Sequence, residues 1–150
     1  MADVIARSEA EMLGLGAALA QVLRAGDVIA LSGGLGAGKT TLARGLLAAL
    51  GLAEEAPSPT FAIVQPYAPP EVRLPVAHVD LYRLDDPAEA EELGLEEYSV
   101  DGALLIEWPE RMGDRMWPEA LLLQIDFLDD GARRLTASLP PSWKDRWPFP

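Results

Sequence analysis

The 150-residue sequence predicts an α/β fold, a mostly parallel sheet flanked by helices and completed by a C-terminal β-hairpin. Three observations carry this expectation. Short, continuously apolar runs alternate with stretches of helical periodicity through the middle of the chain. The first of those runs enters a glycine-rich loop that opens a helix. Near the C-terminus, two β-rich segments are joined by Asp129-Asp130-Gly131.

Taken in order, Ser8 and Glu11 fit a capping box, and Met12, Leu15, Leu19 and Val22/Leu23 recur at helical spacing until Gly26. A helix is therefore expected over residues 9–25. Val28-Ile29-Ala30-Leu31 is short, apolar and bounded by glycines, as befits a strand buried on both faces of a parallel sheet. Thr40 to Leu50 reads as a helix with Leu42, Leu46, Leu47 and Leu50 on one face and Gly51 just past its end. Phe61-Ala62-Ile63-Val64 reads as a strand running into a proline-rich loop, and Val76-Ala77-His78-Val79 as the next strand, ending at Asp80. Asp86 to Glu92 is helical in composition, with Pro87 at the first helical position and Gly94 as the stop. Ala103-Leu104-Leu105-Ile106 is another buried strand, ending at Glu107. Leu121 to Phe127 and Ala132 to Leu139 form the hairpin, and Pro140 to Pro150 is a tail bearing Trp143, Trp147 and Phe149. Neither an internal repeat nor a linker divides the chain, so one domain is expected over residues 1–150.

Composition narrows the chemistry. Twelve basic against 24 acidic residues give a net charge of −12, which repels a nucleic-acid backbone over most of the surface. With no cysteine and one histidine, disulfides and thiolate or zinc sites are excluded, and any metal is expected to be oxygen-bound. No apolar stretch approaches the roughly 18 residues of a membrane span. The first residues show no basic flank followed by an apolar stretch, so a cytoplasmic location without a membrane partner is the expectation.

Gly33-Gly34-Leu35-Gly36-Ala37-Gly38-Lys39-Thr40 matches the phosphate-binding loop, or P-loop, pattern G-x-x-x-x-G-K-[ST], and the sheet is accordingly expected to be P-loop NTPase-like. The pattern needs glycines because backbone N–H groups must approach phosphate oxygens closely. Lys39 is placed to reach the β- and γ-phosphates, the Thr40 hydroxyl to ligate Mg²⁺, and the following helix, through Thr41, to offer its free amides. A dinucleotide fingerprint is ruled out, since its last glycine would fall on Lys39. No [N/T]-K-x-D segment is present to read guanine, so ATP is the expected nucleotide. P-loop proteins commonly hold Mg²⁺ with a further acid at a neighbouring strand end. Asp80 and Glu107 both stand at such ends, and spacing does not decide which touches metal and which orients water. Thr60, in Ser58-Pro59-Thr60-Phe61, is a candidate for a nucleotide-sensing segment. His78 shares a strand face with Asp80; general base, carboxylate partner and core residue are all open for it. The acids Glu89 to Glu97 read as a solvated face or a docking surface. Arg133 and Arg134 stand either near the nucleotide or in surface pairs, and the aromatic tail either covers a binding surface or packs on its own domain.

With these segments assembled, the chain resembles the bacterial tRNA threonylcarbamoyladenosine biosynthesis ATPase family, TsaE (YjeE). The resemblance covers nearly the whole chain and rests on the loop from Gly34 to Thr41, Ser58-Pro59-Thr60-Phe61, His78-Val79-Asp80-Leu81-Tyr82-Arg83-Leu84, Leu93-Gly94-Leu95-Glu96-Glu97-Tyr98 and Ile106-Glu107-Trp108-Pro109-Glu110. It implies a Mg²⁺-dependent ATPase, slow alone, acting with TsaD and TsaB in placing threonylcarbamoyl on N6 of adenosine 37 of tRNA. It also implies that tRNA is contacted mainly by the partners, which accords with the acidic surface. By the same resemblance Thr40 and Glu107 are metal ligands, Lys39 holds phosphate, Asp80 is the acid associated with activity, and Thr60 lies in the switch-like segment. Two rival readings are a small-molecule kinase, for which Arg111 and Arg115 are the nearby lid candidates, and a non-catalytic adaptor gated by ATP.

Overall fold

A computed structural model describes residues 2–54, 56–57 and 63–150. Among these residues seven strands form one sheet, in the order β1-β7-β6-β2-β5-β4-β3. They are β1 (Ala2–Ala6), β2 (Val28–Gly33), β3 (Val64–Tyr67), β4 (Val76–Asp80), β5 (Ala103–Glu107), β6 (Leu121–Phe127) and β7 (Arg133–Ser138). The helices are α1 (Glu9–Val22), α2 (Lys39–Ala49) and the short α3 (Leu95–Asp101).

The sheet corrects one expectation. Its centre, β6-β2-β5-β4, is parallel, but β3, β7 and β1 add antiparallel ladders, so three of six pairings are parallel. The parallel pairs are linked by crossovers carrying helical turns. Of the antiparallel pairs, β6–β7 and β3–β4 join consecutive strands, and the β6–β7 connection, Leu128 to Ala132, is too short for a crossover. Strand β1, unassigned from sequence, is five residues long and alternates in exposure; it forms by pairing with the remote β7, as in Ile5 opposite Arg134.

Two buried clusters occupy the two faces of the sheet. Ile29, Leu31, Leu105 and Leu123 pack with α1 and α2 on one side, and Leu104, Ile106 and Val79 pack with Ala90, Leu95 and Met112 on the other. This two-sided burial is why β2 and β5 read as unbroken apolar runs. Helices α1 and α2 approach through glycine: a Cβ on Gly16 would lie 2.1 Å from the Leu42 carbonyl oxygen, and one on Gly45 would lie 2.2 Å from that of Leu13. That contact fixes α2, and with it the residues at its N-terminus.

The expected helix over 86–92 is a 3-10 helix, Pro87–Leu93, capped by Asp86 and ended by Gly94 at φ 65°, after which α3 begins as a separate element. A second 3-10 segment, Pro109–Arg115, follows β5. The segment Phe61-Ala62 lies outside the described residues, and the strand found there starts at Val64. The tail packs on its own domain. Trp143 is 1% exposed, and the Arg146 guanidinium stacks 4.0 Å from its ring centroid while gripping both Asp27 oxygens at 2.7 and 2.8 Å. No helix among the described residues is long and apolar enough to cross a membrane.

Candidate functional site

The glycine loop leaves the carboxyl end of β2 and returns as the first turn of α2. At Gly33, with φ 152°, a Cβ would meet the Ile125 carbonyl oxygen at 2.7 Å, so a side chain there would push the loop off β6. Gly38 caps α2 with φ 116°, a conformation that favours glycine. The four open N–H groups of the α2 N-terminus thereby face the loop that precedes them.

Lys39, the first residue of α2, is 5% exposed. Its ammonium donates to the carbonyl oxygens of Gly33 and Gly34 and lies 4.0 Å from the ring centroid of Trp108. Burial lowers its pKa, and Glu107, Glu110 and Asp80 oppose that shift.

One residue further on, Thr40 turns toward the sheet. Its hydroxyl donates between the two oxygens of Glu107, at 3.1 and 3.2 Å. Glu107 ends β5 and is 3% exposed; Asp80 ends β4 directly beside it in register and is 7% exposed. Behind them His78, fully buried, places Nε2 2.6 Å from Glu107 Oε2. Asp80 accepts from the Tyr82 backbone N–H at 3.0 Å. Burial raises the Asp80 pKa and the Glu107 charge adds to the rise, while the Tyr82 N–H, His78 and Lys39 pull it down.

The structure thus brings together Leu35 to Thr41, Asp80 and Glu107, which line one groove of about 310 Å³ with Tyr82 and Trp108 as its aromatic wall; Gly33 and Gly34 stand behind it, their carbonyl oxygens accepting from Lys39. Thr60 lies outside the described residues. Of the two arginines in question, Arg133 donates to the Ala37 carbonyl oxygen at 3.2 Å, stacks on Phe127, and joins Ser8, Met12 and Thr41 around an adjoining cavity of about 250 Å³. Arg134 is exposed. Arg115 is engaged with Glu91 at 2.8 Å, whereas Arg111 reaches the Leu84 carbonyl oxygen and lies 5.7 Å from the ring centroid of Tyr82.

Sequence reasoning gave Trp108 no role at the site, nor Tyr82. Trp108 reaches the groove because it adopts a left-handed conformation, φ 59°, at the end of β5. Its position immediately after Glu107, in an Ile-Glu-Trp-Pro run, was the available signal.

No group of three or more imidazole and carboxylate side chains placed to hold a metal occurs among the described residues. A divalent cation here would draw on hydroxyl and carboxylate oxygen, Thr40 and Glu107, with water completing its shell. That donor set suits the hard Mg²⁺ ion. The glycine cradle, the buried ammonium and the helix N-terminus suit a polyphosphate.

A sequence profile described as "Threonylcarbamoyl adenosine biosynthesis protein TsaE" matches residues 6–135. Among curated proteins, the chain is 44% identical over 117 residues to the tRNA threonylcarbamoyladenosine biosynthesis protein TsaE of Nostoc sp., covering 75% of this chain and 70% of that one. It is 37% identical over 135 residues to the protein of the same name from Aquifex aeolicus, covering 89% and 92%. Among solved structures, it superposes on Bacillus subtilis YdiB with a TM-score of 0.81 at 28% identity, covering 97% of this chain and 90% of that one.

Proposed function

The chain belongs to the threonylcarbamoyl adenosine biosynthesis TsaE family, and from that premise we propose that it is the ATP-binding and ATP-hydrolysing component of the machinery that makes threonylcarbamoyladenosine at position 37 of tRNA. The observation that carries the nucleotide half of this reading is the Thr40–Glu107 hydrogen bond at the floor of the glycine-loop groove. It joins the first turn of α2 to the sheet edge with oxygen donors only.

In this reading residues Gly33 to Thr41 hold the triphosphate and Lys39 exchanges its carbonyl partners for phosphate oxygens. Thr40 and Glu107 hold Mg²⁺, which when bound supplies charge neutralisation between the phosphates. Asp80, next to Glu107 and shielded from solvent, positions the attacking water and holds its proton at a carboxylate oxygen. The cavity beside Thr41 and Arg133 offers space for the nucleoside. Tyr82 and Trp108 exclude bulk water from the phosphate end.

The partners are TsaD and TsaB. A net charge of −12 fits a subunit that leaves tRNA to other proteins. Phosphate release from ATP, measured for the chain alone and with TsaD, TsaB and tRNA present, tests the reading. Slow release alone, stimulated in the assembled complex together with formation of the modified adenosine, is expected. Absence of ATP turnover in a complex that still makes the modified base would overturn it in favour of an adaptor role, and phosphate transferred to an added metabolite would favour a kinase.

A further inference from the structure

We propose that His78 is a positioning residue for Glu107: its Nε2–H fixes the rotation of the carboxylate that meets Thr40 and the metal. The inference rests on the ATP·Mg²⁺ reading of the groove and assigns a role to a side chain which that reading does not use.

The geometry separates the two partners of Glu107. Thr40 Oγ1 lies at nearly equal distances, 3.1 and 3.2 Å, from both carboxylate oxygens, so it sits near their bisector and distinguishes neither. The terminal torsion of a glutamate is intrinsically broad. His78 breaks the symmetry by approaching Oε2 alone, at 2.6 Å. Oε1 is left without an imidazole partner.

The backbone makes this contact repeatable. His78 stands opposite Leu105 in the β4–β5 register, and Glu107 is two residues further along the same strand. The imidazole therefore crosses one pleat diagonally, on the face that also carries Asp80. Both side chains of the pair are buried, at 0% and 3% exposure, so water does not compete for the bond.

The other ring nitrogen supports the assignment. Among the described residues, His78 Nδ1 is buried with no hydrogen-bond partner. An ionised carboxylate can only accept, so Nε2 is the nitrogen that must carry a proton in this pair. An apolar side chain would fill this place in the core at no polar cost; among the described residues the His78 ring makes one polar contact, and it is to Glu107. Side chains that orient a metal ligand through a hydrogen bond typically change metal affinity 10- to 100-fold when removed.

His78 is the single histidine of the chain, so its ring gives unique signals in ¹⁵N-histidine-labelled protein. In the metal-free parent the Nε2–H tautomer is expected, with a slowly exchanging proton that shifts in Glu107→Gln. An Nδ1–H tautomer would overturn the proposal. ATP binding is then measured by calorimetry in EDTA and across a Mg²⁺ titration for the parent, His78→Leu and His78→Gln. His78→Leu should bind ATP like the parent in EDTA but need about tenfold more Mg²⁺ for its effect. His78→Gln, which can present an N–H near the same place, should recover much of that difference. Parent-like Mg²⁺ dependence in the leucine variant would overturn the proposal, as would equal losses in both variants. If His78→Leu does not fold, the ring tautomer and the glutamine variant still decide. A parent whose ATP binding ignores Mg²⁺ is a different failure: it removes the metal reading of Glu107 itself.

Discussion

Arg133 donates from Nε to the carbonyl oxygen of Ala37 at 3.2 Å, tying the start of β7 to the glycine loop. Its guanidinium is held by the Phe127 ring, 4.3 Å away, and by the Gly131 carbonyl oxygen at 2.6 Å. The loop is thus steadied from the hairpin as well as from β2 and α2. A charge-assisted hydrogen bond of this kind contributes about 1 kcal/mol or somewhat more, so Arg133→Leu should weaken ATP binding roughly fivefold. Calorimetry on the nucleotide-free protein checks it, and parent-like affinity would show that the hairpin does not steady the loop.

Lys39 is the stronger case. Its ammonium is already matched by two carbonyl oxygens and the Trp108 face, so phosphate must offer more than these contacts to win it. Two negative oxygens do, because the burial that lowers the Lys39 pKa also strengthens its pairing with an anion. Lys39→Ala should cost about 1.5–3 kcal/mol of binding, roughly 10- to 150-fold in affinity. Lys39→Arg should not restore it, since a planar fork does not fit a pocket shaped around a compact ammonium. Recovery of parent affinity by arginine would place the phosphates elsewhere.

How much of this was legible beforehand follows from the range of each interaction. The glycine loop could be read because phosphate approach demands small residues at fixed intervals within a few positions. Strands β2 and β5 could be read because burial on two faces removes polar residues from both. The acids Asp80 and Glu107 were visible as strand-terminal residues, but their adjacency exists only through the β4–β5 register. Strand β1 escaped because five residues carry little pattern without β7 beside them. Trp108 escaped because its access to Lys39 depends on a backbone conformation that non-glycine residues seldom adopt. The Asp27–Arg146 pair spans 119 residues of sequence, and no local rule connects its ends.

The two glycines near the middle of α1 should behave oppositely. Gly14 has nothing within 4 Å of the place a Cβ would occupy, so Gly14→Ala should stabilise the protein by about 0.5–1 kcal/mol through helix propensity. At Gly16 the obstacle is the α2 backbone at 2.1 Å, which cannot rotate aside. Gly16→Ala should therefore destabilise by about 1–3 kcal/mol, and because α2 carries Lys39 and Thr40 it should also reduce ATP affinity. Thermal melts of the two variants decide the matter; equal shifts would mean that α1 and α2 do not meet through glycine.

Asp80 gives a prediction with a definite pH dependence. Its pKa is raised from an ordinary value near 3.8, chiefly by burial and further by Glu107, so folding shifts this group toward its protonated form relative to the unfolded chain. The stability this group contributes is therefore fully present below 3.8 and is lost as pH rises through the raised folded value. At neutral pH the ionised carboxylate opposes folding. Asp80→Asn keeps an oxygen for the Tyr82 N–H and removes the charge. In the metal-free protein it should raise stability at pH 7 by about 1 kcal/mol, a shift of about 2–4 °C in melting temperature for a chain of this length. The gain should shrink with acidification and vanish below the ordinary carboxylate range. The same substitution should lower partner-stimulated ATP turnover, because the group that holds the water's proton is gone. Melting curves of parent and variant from pH 3 to pH 8 separate the possibilities. If the variant is less stable than the parent at pH 7, the attraction of His78 and Lys39 for the ionised carboxylate outweighs its burial, and Asp80 is then a structural anchor of the sheet edge rather than an acid held at a cost for chemistry.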